Sequence, residues 1–221
     1  MADNITIKFF ERITDEKMKD EIWKILCECD KEFYPPLSER KVYNNSLLKI
    51  NCRARIADKR PYAYFKSMIK QNFLAAFIDD RYMAGFMAFL SNVTPKEFNV
   101  KCNYYTTLCV RKANRQKGIA TKLLTFRLPE ELRLEITITR TWSLNYPIIK
   151  ALGGAGFTIK KVSSNDRDKG VDTLYYQRKI LKLIKWAFYL HLWFIKVLRA
   201  LYITIFSIYS IYSDILCDSS F

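Results

Sequence analysis

A chain of 221 residues, half of them hydrophobic and 15% aromatic, suits one domain with an appendage and excludes disorder for its bulk. Its 37 basic against 22 acidic residues leave a formal charge of +15. That balance suits an anionic partner (a phosphate-bearing cofactor, nucleic acid or an acidic membrane surface) and disfavours a polycationic substrate.

Near the start Ile5, Ile7 and Phe9 alternate with Thr6 and Lys8 as a short strand. Thr14 reads as the N-cap of a helix with Asp15 and Glu16 in its first turn, where the helix dipole favours acids. Met18, Ile22, Ile25, Leu26, Cys29 and Phe33 recur at helical spacing on a core-facing stripe, and Pro35-Pro36 ends the helix. From Leu37 to Arg60 the chain is polar and basic (Lys49, Arg53, Arg55, Lys59, Arg60) and reads as a loop with a loose helix. Pro61 opens a second helix. Phe73 to Ile78, a turn at Asp79-Asp80 and Tyr82 to Leu90 read as a hairpin, and Asn103 to Val110 as a further strand. Arg115 to Leu128 is a turn plus helix closed by Pro129, and Leu134 to Ile138 alternates as a strand. A short helix follows Asn145, a strand runs from Phe157 to Val162, Asp166 to Gly170 turns, and Val171 to Gln177 is a last strand. The order β-α-α-β-β-β-α-β-α-β-β predicts a mixed α/β (α+β) fold with a central mixed sheet.

The six cysteines (Cys27, Cys29, Cys52, Cys102, Cys109, Cys217) form no CxxC pair and share no zinc-binding spacing with the sole histidine, His191. MADNITIKFF contains no apolar signal core. The expectation is reduced thiols in a cytoplasmic protein, with no metal site. Cys27 and Cys29 project to different sides of their helix and should not pair.

The stretch richest in chemistry runs from Leu108 through Cys109 and Val110 to Arg115-Gln116-Lys117-Gly118-Ile119-Ala120. A strand enters a basic turn, and a glycine stands where a helix begins. Small residues there let backbone amides approach an anion closely, and the helix start adds free N–H groups. Further on, Asn145 precedes a helix-length run that ends at Gly156-Phe157. On these residues the chain resembles the GNAT superfamily of acetyltransferases. Arg115, Gly118 and Ala120 fill its R/Q-x-x-G-x-G/A motif, and Asn145, Gly156 and Phe157 fill a second. The likeness covers about residues 5 to 178, so domain bounds of 1–178 and 179–221 follow.

The resemblance implies acetyl-coenzyme A bound where two parallel strands splay. Amides from Arg115 to Ala120 would hold the pyrophosphate, and backbone groups from Leu108 to Val110 would pair with the pantetheine arm. The amide of Val110 would polarise the thioester carbonyl. A neutral amine, on a small molecule or a protein, then attacks directly in a ternary complex. Leu152 stands where many members carry a tyrosine acid, and Tyr146 is not at an equivalent position. No base stands out: Asp30, Glu32 and the Asp79-Asp80 turn are equal candidates. Phe33-Tyr34-Pro35-Pro36-Leu37-Ser38 could line the mouth of an acceptor pocket, or close the helix end over the core. The same features admit a noncatalytic coenzyme A-binding sensor or interaction module. An RNA-directed acetyltransferase or RNA binder rests on charge alone, without a recognisable nucleic-acid module.

The tail is not needed by such a domain. Lys179, Lys182, Lys185, Lys196 and Arg199 share one helical face, while Ile184, Ala187, Phe194 and Leu198 take the other. Lys196 and Arg199 interrupt the run, each costing about 2.5–3.5 kcal/mol near a bilayer centre. An amphipathic helix on an anionic membrane surface is therefore expected before a span, with self-packing or a homodimer contact as the alternative.

Overall fold

The computed structural model describes residues 4–39, 42–45, 48–51, 60–180, 193–197 and 199. In chain order its strands and α-helices are β1 (Ile5–Phe10), α1 (Glu16–Cys29), β2 (Val42–Asn45), β3 (Leu48–Asn51), α2 (Tyr62–Met68), β4 (Asn72–Ile78), β5 (Tyr82–Val93), β6 (Cys102–Val110), α3 (Ile119–Thr125), β7 (Ile136–Trp142), α4 (Tyr146–Gly154), β8 (Thr158–Asp168) and β9 (Val171–Lys179). Seven strands form one sheet in the order β1-β4-β5-β6-β7-β9-β8. Every neighbour pair is antiparallel except β6 and β7, which run parallel because α3 carries the chain back across the sheet.

Period-two alternation in the central strands divides the core between two faces. Phe73, Ala75, Phe86 and Ala88 pack with Ile22, Ile25 and Leu26 of α1 and with Tyr64 and Met68 of α2. Leu74, Ala76, Met87 and Phe89 pack on the opposite face with Leu123 and Leu124 of α3 and Leu152 of α4. The β4–β5 turn has Asp79 at φ 49° and Asp80 at φ 60°, with Arg81 N–H donating to Ile78 O. Two consecutive left-handed residues in the three-residue loop of Asp79, Asp80 and Arg81 turn the chain back so that Tyr82 pairs with Ile78.

Three expectations are corrected. The N-cap of α1 is Asp15, not Thr14: its carboxylate accepts from Met18 N–H at 2.7 Å. The helix ends at Cys29, and a 3-10 turn over Asp30–Glu32 replaces the stretch expected to run on to Phe33. Between Leu37 and Arg60 the chain forms a short 3-10 turn, Leu37–Glu39, and the hairpin of β2 and β3, where a loop with a loose helix was expected. Arg53, Arg55 and Lys59 of the basic run lie outside the described residues.

The chain divides into two compact units, Met1–Ile180 and Leu181–Phe221. The first extends two residues beyond the expected bound, because Lys179 pairs with Ile136 and Ile180 N–H donates to Glu135 O at 2.8 Å. Lys179 therefore belongs to β9 rather than to a tail helix. Of the second unit, residues 193–197 and 199 are helical. Lys182, Ile184, Lys185, Ala187, His191 and Leu198 lie outside the described residues. Among the described residues no helix is long and apolar enough to cross a membrane.

Candidate functional site: a cleft where two parallel strands part

The pairing of β6 with β7 is brief. It joins Asn103 to Thr137, Tyr104 to Ile138 and Tyr105 to Thr139, where Thr139 Oγ1 also donates to Tyr105 O at 3.0 Å. Past that point β6 continues to Val110 and β7 to Trp142 without pairing. The divergence starts at a bulge: β5 passes from Thr107 opposite Ala88 to Tyr105 opposite Phe89, leaving Thr106 as the extra residue. A bulge bends its strand and increases its twist. The Thr106 hydroxyl is fixed there by Gln71 Oε1 at 2.6 Å and Ala88 O at 3.1 Å. The opening is a cleft of about 990 Å³, walled by Tyr104 to Val110, Thr139 to Trp142, the loop before α3, and α4.

Ladder parity sets which amides face this gap. Arg111 N–H donates to Ala84 O at 2.9 Å, and Val110 lies opposite Gly85. Bonded and non-bonded pairs alternate along an antiparallel ladder. Cys109 is therefore bonded to Phe86, whereas Leu108 and Val110 turn their N–H and C=O groups into the gap. The backbone of Cys109, included with its neighbours in the sequence reading, is spent on β5, and its side chain is buried against α1. Gly85 permits the close approach: a Cβ there would stand 2.7 Å from Cys109 O and 3.1 Å from Val110 Cα.

After β6 the chain makes a 3-10 turn over Lys112–Asn114 and then passes Gln116 at φ 62° and Gly118 at φ 75°. Gly118 is the N-cap of α3 and supplies no side-chain cap, so the first-turn amides stay available. The sign of φ thus alternates from Arg115 to Ile119, a pattern that can turn successive N–H groups inward as an anion nest. With α3 only two turns long, these local amides carry the site rather than a macrodipole. Gln116, Gly118, Ile119 and Ala120 line the cleft, as does Arg115; Lys117 is not among the lining residues. Gly118 does not fill a spot too tight for a side chain. A Cβ there meets nothing within 4 Å, and the left-handed φ is what requires glycine.

Arg115 reaches across the cleft mouth to Glu32 with two hydrogen bonds, 2.9 and 2.6 Å, while its Nε donates to Val110 O at 3.1 Å. Such a fork-to-carboxylate pair fixes both side chains. Glu32 is the sole acid among the described residues lining the cleft. The other candidates go elsewhere. Asp30 is buried and accepts from Ser38 N–H at 2.8 Å and Ser38 Oγ at 2.6 Å, closing the loop after α1. Asp80 binds Thr6 and Lys8 at the β1 edge, which holds its carboxyl below the usual range. Phe33 also lines the cleft and stacks near Trp142 at 6.3 Å. Tyr34 donates to Asp168 at 2.6 Å and its carbonyl accepts from Arg167, fastening this segment to the β8–β9 hairpin.

On α4, Asn145 lines the cleft at the N-cap without capping the helix by its side chain. Gly156 takes φ 79° and Phe157 is buried in the core. Leu152 is 1% exposed, packed in the core while touching the cleft wall, and Tyr146 is 69% exposed and outside it. Among the lining residues that the sequence reading did not single out, two carry a polar atom left unsatisfied. Asn114 Oδ1 and Thr141 Oγ1 are buried without a hydrogen-bond partner among the described residues, so each offers a polar contact to a ligand. Nothing in their local sequence marks them, because the partner they lack is set by the fold.

No family model and no curated protein matches the chain. Solved structures do. A GNAT-family acetyltransferase from Bacillus cereus is 16% identical over 80% of this chain and 99% of its own, with a TM-score of 0.53. The Salmonella typhimurium protein YncA, solved with its cofactor acetyl-CoA, is 16% identical over 80% of this chain and 95% of its own, at 0.52. An N-acetyltransferase from Staphylococcus aureus is 17% identical over 80% and 98%, at 0.51. The likeness is one of fold: this chain has the mixed sheet and flanking helices of the GNAT acetyltransferases. The mixed α/β fold expected from the order of elements, and its likeness to this family's fold, are thereby confirmed.

Proposed function

We propose that this chain moves an acetyl group from acetyl-coenzyme A to an amine by direct attack in a ternary complex. The observation that carries the reading is the continuity of one cleft. An anion nest at Gln116 to Ala120 opens onto unpaired strand amides at Leu108 and Val110, which open in turn onto a side-chain-lined pocket. The nest would hold the pyrophosphate, with Asn145 alongside, and Leu108 and Val110 would pair with the pantetheine arm. Val110 N–H donates to the thioester carbonyl as negative charge builds there. The amine nitrogen forms the new C–N bond, the C–S bond breaks, and coenzyme A leaves as a thiolate. Glu32, the acid lining the cleft, would take the amine's proton through water. Phe33, Trp142 and Thr141 would line the acceptor end.

Release of coenzyme A thiol from acetyl-coenzyme A across a panel of primary amines tests this. Amine-dependent release with acetylated product supports it, and tight coenzyme A binding with no turnover on any amine contradicts it. That second outcome is the signature of a noncatalytic coenzyme A-binding module. The burial of Leu152, which leaves no hydroxyl at the position of the usual acid, favours that reading. For residues 181–221 we propose contact with an anionic membrane surface, supported by the basic and apolar faces of the sequence.

A further inference from the structure

Two thiols meet at the strand that bears the polarising amide. Cys29 ends α1, and Cys109 stands between Leu108 and Val110; both are buried and both line the cleft. Both side chains belong to one packed cluster between α1 and the sheet. Cys29 Sγ also lies 3.8 Å from Val110 O and 3.6 Å from Arg115 Nη2. Cys27, two residues earlier on α1, is not among the lining residues.

We propose that Cys29 is a site of thiol–disulfide exchange with coenzyme A disulfide, resolved by Cys109 into an internal disulfide. The inference rests on the reading of the cleft as a coenzyme A site. That reading brings a pantetheine sulfur to Val110, and Cys29 is the thiol beside Val110. In the first step the Cys29 thiolate attacks one sulfur of coenzyme A disulfide. A Cys29–coenzyme A bond forms, the original S–S bond breaks, and one coenzyme A departs as thiolate. In the second step Cys109 attacks Cys29 Sγ, the internal disulfide forms and the other coenzyme A departs. Two protein thiols are oxidised, one disulfide is reduced to two coenzyme A thiols, and the two thiol protons end on those products.

The two environments differ in the direction this order needs. The neighbouring Cys109 thiol, with the Arg115 charge assisting, holds the Cys29 thiol below its ordinary range. Burial pushes the Cys109 thiol well above its own. Cys29, whose Sγ lies beside both Val110 O and the Arg115 guanidinium, is the attacking sulfur and Cys109 the later one. The product ties β6 to α1 next to the amide proposed to polarise the thioester, and takes from Arg115 its thiol neighbour. Acetyl transfer would then stop until a dithiol reductant restores it.

The test incubates the reduced full-length chain, without oxygen, with coenzyme A disulfide or with oxidised glutathione. Remaining thiols are then alkylated and peptides mapped without reduction. The expected result is a Cys29–Cys109 linkage that forms faster with coenzyme A disulfide. Cys109→Ser and Cys109→Ala should each arrest at a Cys29–coenzyme A adduct. Calorimetry of coenzyme A on the reduced protein runs alongside. Binding without any product at Cys29, or equal rates with the two disulfides, overturns the proposal alone. Absence of binding overturns the cofactor reading and the proposal with it.

Discussion

At Gly118 the backbone demands glycine while the surrounding space does not, so two substitutions there separate conformation from charge. Gly118→Ala should cost about 1–2 kcal/mol for a left-handed φ, read as a lowered denaturant midpoint, and weaken coenzyme A binding modestly. Gly118→Asp adds a carboxylate facing the nest and should abolish binding in a folded protein. Gly85 is the opposite case, an ordinary φ in a space with no room. Gly85→Ala should cost about 1–3 kcal/mol through overpacking. Because the new methyl presses on Cys109 O and Val110 Cα, it should also lower kcat more than it raises KM for acetyl-coenzyme A. Gly118 could be read from sequence because its motif is local. Gly85 could not, since the contact that excludes a side chain comes from a strand 25 residues on. Cys102 carries a pH prediction: burial raises its thiol from 9.0 to about 11. A raised acid pKa means that the fold favours the neutral thiol. Its contribution is complete below pH 9 and is lost as pH rises toward 11. Thermal melts across that window should fall for the natural chain and fall less for Cys102→Ala.

Among the elements, the strands and α-helices of the larger unit were legible where the period was strong and local. The central strands gave apolar runs bounded by turns, and the Asp79-Asp80 turn announced a hairpin. Three features were not legible. The strands of the β2–β3 hairpin are four residues each, and the alternation of Leu48 and Ile50 in β3 is too short to stand out from the polar and basic stretch around it. The bulge at Thr106 depends on register with β5, which no single strand encodes. The role of Asp30 depends on Ser38, eight residues ahead, beyond two prolines. Asp30 is the fastener that holds the turn bearing Glu32 and Phe33 at the cleft. Asp30→Ala leaves Ser38 without its acceptor and should cost about 1–3 kcal/mol in denaturant unfolding. Its KM for the amine should rise more than its KM for acetyl-coenzyme A, since the nest is untouched. Equal rises in both would place the loss in the fold as a whole.

Over the whole molecule the charge of +15 and the cleft point to the same partner chemistry, a phosphate-bearing ligand. The proposed acceptor end was the least legible part of the cleft. Phe33 was one of several candidates, while Trp142 and Thr141 enter the cleft only because β7 parts from β6. For the tail, flotation with anionic liposomes should carry the full chain and leave behind a version ending at Ile180. Equal behaviour of the two would remove the membrane proposal. Ending at Ile180 keeps β9 and its bond to Glu135 intact. The account as a whole stands on the cleft as a coenzyme A site. The most direct test is a calorimetric titration of coenzyme A into the natural chain and into Gly118→Asp, both verified as folded. The account predicts saturable one-to-one binding to the natural chain, weakening as salt rises, and none to the variant. Equal affinity in the two, or no binding to the natural chain, would contradict it.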